Sequence, residues 1–290
     1  MFKALIPAWM AIGLTVSSVQ AQTTEETINY PVDGLNIVGT LSVPAGDPAP
    51  VVLLLHGFGG TRDELEIPAV KEGIYTRAAR QLAEAGYASL RIDFPGSGDS
   101  GGEFADMTYS GQIAAATAAL DFLKADPRVN GSKIAVIGWS QGGLVASAIA
   151  GRTGIPVATA LWAAVGEPEV TFAKLLGADK IAAGLKTGAT PLELPMPWGF
   201  SLYLKQPYFE EILTTHPLEE IVAYKGPLFV AEGLNDEAIP VGTGEKFIAA
   251  HDGPEELWIR PMDHGFNSAT GVETVDEMVA ATIAFFKPYL

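Results

Sequence analysis

The chain has 290 residues, no cysteine, a formal net charge of −16 and 48% hydrophobic residues. Without thiols it forms neither disulfides nor thiolate metal sites, so it depends on an apolar core, and its length suits one large domain. A negative field of this strength repels phosphate backbones and no basic cluster offsets it, so nucleic acid is not an expected partner.

At the start, Lys3 precedes the apolar run "ALIPAWMAIGLTV", and Val19 and Ala21 supply the small residues that a signal peptidase needs. The run is short for a bilayer span, so residues 1–21 read as a cleaved secretory signal, with an uncleaved anchor as the alternative. On that reading residues 22–290 are exported to the periplasm or beyond and keep no membrane attachment. "TINYPVDGLNIVGTLSVP" follows, where Asp33-Gly34 between alternating segments predicts an antiparallel hairpin.

From residue 51 short apolar runs alternate with longer helical patterns. Strands are expected at 51–55, 88–93, 133–138, 156–163, 227–233 and 256–261. Helices are expected near 69–85, 108–125, 141–151, 241–251 and 273–287. The near-continuous apolar character of the strands suits burial on both faces, and the alternation implies right-handed crossovers. The fold class is therefore α/β, a mostly parallel twisted sheet with an N-terminal antiparallel hairpin and helices on both faces. About sixty residues separate the fourth strand from the fifth, more than a crossover needs, and they include the proline- and aromatic-rich "TGATPLELPMPWGFSLYLKQPYF". Residues 166–222 are expected to form a small cap insertion, against a long loop or edge helix as the plainer reading.

G-x-S-x-G occurs twice, around Ser100 and around Ser140. Only Ser140 follows a strand and opens a helix, the turn that lifts a hydroxyl above a sheet with a helix N-terminus aimed at it. Ser100 reads as a loop residue. A serine nucleophile needs a base, and among the four histidines His56 and His264 stand at carboxyl ends of strands. An acid following the serine and preceding the base is met by Asp236 in the turn "NDEAIP", with neighbouring Glu237 as the alternative. Asp263 adjoins His264 and reads as structural. The backbone N–H of Gln141, directly after the serine, is one candidate donor to an oxyanion. The loop "HGFGG" offers a second at Phe58 and makes His56 a loop-shaping residue.

The ordered motifs HGFGG, DFPGSGDSGG, GWSQGG, GLND and DHGF together resemble the α/β-hydrolase superfamily, closest in look to capped serine esterases such as cinnamoyl or feruloyl esterases and prolyl-oligopeptidase-like hydrolases. The resemblance implies the α/β-hydrolase fold and a catalytic triad of Ser140, Asp236 and His264, with oxyanion donors at Phe58 and Gln141. It further implies carboxylic-ester cleavage through an acyl-enzyme, on a small-molecule ester and with no cofactor or metal; H-E-x-x-H and G-x-x-x-x-G-K motifs are absent. A peptidase of the same fold and a non-catalytic binding protein are the competing readings. Trp139 stands where many relatives carry His, so it is expected to shape the pocket wall. Trp198 and Phe200, with Tyr203, Tyr208 and Phe209, either line a substrate pocket in the insertion or form the insertion's own core.

Overall fold

The computed structural model describes residues 23–290, and the expected signal segment lies outside them. Strands β1 (Thr24–Val32) and β2 (Leu35–Val43) form the expected hairpin. Asp33 and Gly34 turn it with φ of 50° and 81°. Positive φ at both turn residues matches the twist of the flanking strands, and Asp-Gly tolerates it well.

The apolar runs become β3 (Ala49–Leu55), β4 (Ala88–Ile92), β5 (Val129–Trp139) and β6 (Ala158–Trp162). A separate two-stranded ladder follows, β7 (Leu192–Pro195) with β8 (Ser201–Leu204), and then β9 (Leu228–Gly233) and β10 (Glu255–Arg260). The main sheet has eight strands in the order β1-β2-β4-β3-β5-β6-β9-β10. Its first two junctions, β1 with β2 and β2 with β4, are antiparallel; every junction from β4 onward is parallel.

Helices are α1 (Ile74–Glu84), α2 (Tyr109–Ala125), α3 (Gln141–Thr153), α4 (Pro168–Leu176), α5 (Ala178–Gly184), α6 (Gln206–Thr214), α7 (Pro217–Glu220), α8 (Thr243–Ala250) and α9 (Glu273–Phe286). The pairs α1/α9 and α2/α3 each pack together and against the sheet. Val51 to Leu55 consequently have no exposed surface, which explains why β3 reads as an unbroken apolar run rather than an alternating one. No helix among the described residues is long and apolar enough to cross a membrane.

Two boundaries differ from expectation for local reasons. Strand β5 begins at Val129, ahead of its apolar run, and a register shift between Ala49 and Val51 of β3 takes up the polar Asn130–Lys133 stretch. Helix α1 begins at Ile74 rather than near residue 69, because Lys71 has φ 52° and Gly73 passes close to the Asp63 carbonyl. The insertion between β6 and β9 holds α4, α5, the β7–β8 ladder, α6 and α7.

The start of α3 lies unusually close to the sheet. A Cβ on Gly142 would stand 1.9 Å from the Leu55 carbonyl oxygen of β3, and one on Gly143 would stand 2.3 Å from the Ala164 Cβ. Overpacking costs about 1–3 kcal/mol where side chains can yield, and here the obstacle is backbone. Gly142→Ala is therefore expected to lose at least about 3 kcal/mol of stability, read as a lowered urea midpoint. An unchanged midpoint would contradict the close approach.

Candidate active site

Ser140 joins the end of β5 to the first residue of α3 with φ 55° and ψ −118°. A non-glycine residue held there costs of order 1–3 kcal/mol, so its neighbours must over-determine it. They do so from three directions. Ser140 N–H donates to the Trp162 carbonyl at 2.9 Å, while its own carbonyl accepts from Gly143 N–H and Val165 N–H, each at 3.0 Å. A Cβ on Gly138 would sit 2.2 Å from the Gly142 carbonyl oxygen, so the turn closes only with glycine before it.

The hydroxyl so placed meets His264, whose Nε2 lies 3.1 Å from Ser140 Oγ. His264 Nδ1 lies 2.8 Å from Asp236 Oδ2. An N–H donated from Nδ1 to the carboxylate leaves Nε2 bare to accept the serine proton. Asp236 is fixed in turn, because its Oδ1 accepts from Ala238 N–H and Ile239 N–H, both at 2.8 Å. Glu237, the alternative acid, is exposed. Asp263 instead braces its own loop: its carboxylate accepts from Asn267 N–H at 2.8 Å, and its N–H donates to Asn267 Oδ1 at 3.0 Å.

The other histidines have other partners. His56 is buried; its Nδ1–H donates to the Gly57 carbonyl at 2.8 Å and its Nε2 accepts from Phe94 N–H at 3.0 Å. Burial lowers its pKa to about 4, so it is a neutral brace between two loops. His251 is buried against the Gly226 carbonyl, and His216 is exposed.

The loop after β3 runs directly past Ser140, since a Cβ on Gly57 would stand 3.3 Å from Ser140 Cβ. Among the described residues, neither Phe58 N–H nor Gln141 N–H has a protein acceptor. The loop is bolted to the one after β4. Buried Asp93 accepts from Arg62 N–H at 2.7 Å, from Asp99 N–H at 2.9 Å and from the Arg62 guanidinium. Ser100 belongs to this brace: its Oγ accepts from Val38 N–H at 2.9 Å and donates to the Asp93 carbonyl at 2.7 Å. The second G-x-S-x-G match is thus a structural loop.

The three residues expected to bind substrate are placed differently. Trp139 is 5% exposed, packs tilted against His264 with centroids 5.4 Å apart, and donates from Nε1 to the His264 carbonyl at 3.2 Å. These contacts, with the Phe266 ring 5.5 Å away, make it a support for the histidine loop. Trp198 and Phe200 stand at the tip of the β7–β8 hairpin, 47% and 54% exposed, with rings 6.0 Å apart. Tyr208 and Phe209 are fully buried and form the insertion's core. The hairpin leans over the loop after β3, where a Cβ on Gly59 would meet Leu202 at 3.3 Å.

Sequence reasoning passed over Glu64, which lies in the charged run "TRDELE" and looks like solvated surface. Its backbone is at φ 59°, and its carboxyl turns inward to accept from Gly57 N–H on the same loop as Phe58. Burial raises its pKa from 4.5 to about 8, against the opposing pull of the Gly57 and Leu65 N–H groups. The folded protein therefore holds a proton that the unfolded chain releases between pH 4.5 and about 8. That contribution is fully present below the lower value and is lost as pH rises through the upper one. Glu64→Gln should narrow the drop in urea midpoint between about pH 5 and about pH 8. An undiminished drop would contradict the raised pKa of Glu64.

Comparison with known proteins was consistent with this architecture. The family model described as "Alpha/beta hydrolase family" matches residues 52–271. A Bacillus subtilis (strain 168) protein, YtaP, which carries a provisional hydrolase name, is 30% identical over 113 residues, spanning 34% of this chain and 38% of its own. Among solved structures, Est1E of Butyrivibrio proteoclasticus with ferulic acid bound superposes with a TM-score of 0.74 at 24% identity, covering 90% of this chain and 98% of Est1E. The esterase domain of a Rhodothermus marinus protein gives 0.69 at 20% identity, covering 92% and 99%. These two likenesses are of fold. With the family model spanning most of the described residues, the chain belongs to the alpha/beta hydrolase family.

Proposed function

We propose that the protein is a serine hydrolase that cleaves carboxylic esters through an acyl-enzyme. The observation that carries this reading is the continuous hydrogen-bonded line Ser140–His264–Asp236, next to two N–H groups, of Phe58 and Gln141, that have no acceptor among the described residues. As Ser140 Oγ attacks the ester carbonyl, its proton passes to His264 Nε2, and Asp236 stabilises the imidazolium without taking the proton. The former carbonyl oxygen becomes an oxyanion facing Phe58 N–H and Gln141 N–H. Collapse breaks the bond to the alcohol, which leaves with the proton from His264. Water then gives a proton to His264 and attacks the acyl carbonyl, and the second collapse returns the proton to Ser140.

Several features support the substrate class. One structural neighbour is an esterase domain and another holds ferulic acid, and the exposed Trp198–Phe200 pair lies on the hairpin that leans over the loop after β3. Small or aromatic-acyl esters are the proposed substrates. The N-terminal apolar run, as a cleaved leader, supports action outside the cytoplasm, and the hydrolysis proposed requires no cofactor.

Ser140→Ala should lower kcat by about 10⁶ and Asp236→Asn by about 10⁴, with KM little changed. The assay compares p-nitrophenyl esters, methyl ferulate and aminoacyl anilides, alongside labelling by an organophosphonate. Folded wild type should label, Ser140→Ala should not, and esters should outrun anilides. Equal labelling of the two proteins would overturn the nucleophile, and faster anilide cleavage would overturn the substrate class.

A further inference from the structure

We propose that Tyr208, on α6 of the insertion, is a positioning residue that holds both oxyanion donors in register. The inference rests on the preceding reading of Phe58 and Gln141. Tyr208 is fully buried and touches the side chains of both. Its hydroxyl donates to Gln141 Oε1 at 3.0 Å, and its ring stacks on that of Phe58 with centroids 5.7 Å apart and planes 20° apart.

The contacts are built on both sides. Gln141 has no exposed surface, and its Nε2 donates to Gln112 Oε1 at 2.9 Å, so its amide is gripped at both ends. The Tyr109 hydroxyl lies 3.3 Å from that of Tyr208 and donates to it. Phe172 of α4 packs edge-on against both stacked rings, 5.4 Å from Phe58 and 5.7 Å from Tyr208. A buried hydroxyl without a partner is costly, so this chain of bonds has one favoured arrangement. Gln141 opens α3 and Phe58 sits on the loop after β3. No direct hydrogen bond joins them, and Tyr208 bridges them by one polar contact and one stacking contact.

The geometry of an oxyanion site matters at the level of fractions of an ångström, because its donors must face the position the charge will occupy. Loosening Gln141 or Phe58 should therefore weaken binding of the tetrahedral state and leave binding of the planar substrate largely intact. Insertion and catalytic centre are then coupled: a shift of α6 alters turnover without touching Ser140, His264 or Asp236.

The test compares Tyr208→Phe, which keeps the ring, with Gln141→Met, which keeps the backbone N–H and removes the acceptor together with the amide's bond to Gln112. Each should lower kcat on a p-nitrophenyl ester by about 10-fold, less than the 10²–10³ for loss of a whole donor, with KM within about twofold. Affinity for a trifluoromethyl ketone, which forms a tetrahedral adduct, should fall by the same factor as kcat/KM. Affinity for the planar product acid should not change. The double variant should be no worse than the poorer single one, since the Tyr208–Gln141 bond is already cut in each.

Additive losses, or wild-type kcat and ketone affinity in Tyr208→Phe, would overturn the proposal. If Tyr208→Phe fails to fold, the same kcat and ketone readouts on Gln141→Met decide it. The parent reading fails separately: if wild type is inactive or unlabelled, or Ser140→Ala retains turnover, the oxyanion assignment falls and the Tyr208 role falls with it. A labelled, active enzyme indifferent to Tyr208→Phe condemns only the positioning role.

Discussion

Ser140 is held at a positive φ by the strand beside it, and the rest of the site is arranged around that constraint. The bond from its N–H ends on Trp162 of β6, and one of the bonds to its carbonyl starts at Val165, just beyond β6. The neighbour that fixes the turn is thus itself set by the sheet order. Glycine at 138 and 142 removes the two Cβ atoms that would prevent β5, β3 and α3 from converging. What results is a hydroxyl raised at the carboxyl edge of the sheet, where the loops bearing Asp236 and His264 also emerge. The strain at one residue is offset by packing spread over four elements.

Around this elbow the protein uses buried polar groups as fasteners. Asp93 has no exposed surface, yet it gathers two backbone N–H groups and the Arg62 guanidinium. Breaking such a buried pair typically costs about 3–5 kcal/mol because one charge is left uncompensated. His56 and Glu64 grip the carbonyl and the N–H of Gly57 respectively, and burial biases both towards the neutral form. Neutral Glu64 holds the loop beside Ser140 without adding the negative charge that would oppose the oxyanion proposed there. The same principle reaches the insertion, where the Tyr109–Tyr208–Gln141–Gln112 chain is wholly buried.

Much of this was legible in the sequence because it depends on local patterns. Continuous apolar runs marked the parallel strands, Asp33-Gly34 marked the hairpin, and a G-x-S-x-G segment between strand and helix separated Ser140 from Ser100. The Ser140–His264–Asp236 line was legible because each residue stands just past a strand end. The direction of Trp139 was not, since its indole answers to the carbonyl of a residue 124 positions past Ser140 in the loop it supports. Glu64 was hidden among exposed charges, and only the fold shows its carboxyl turned back, from a backbone at positive φ, onto the Gly57 N–H. The insertion was the least readable region. Tyr208, Trp198 and Phe200 look alike in a sequence, and only packing decides that the first is buried while the other two face solvent.

The central claim is that Ser140 carries the acyl group during turnover. Mixing the protein with p-nitrophenyl acetate, quenching in acid within the first turnover and mapping the adduct by peptide mass tests it directly. The account requires a burst of p-nitrophenol close to one equivalent and an acetyl group on the peptide containing Ser140. Turnover with no adduct at Ser140, or an adduct confined to another residue whose removal abolishes activity, would contradict it.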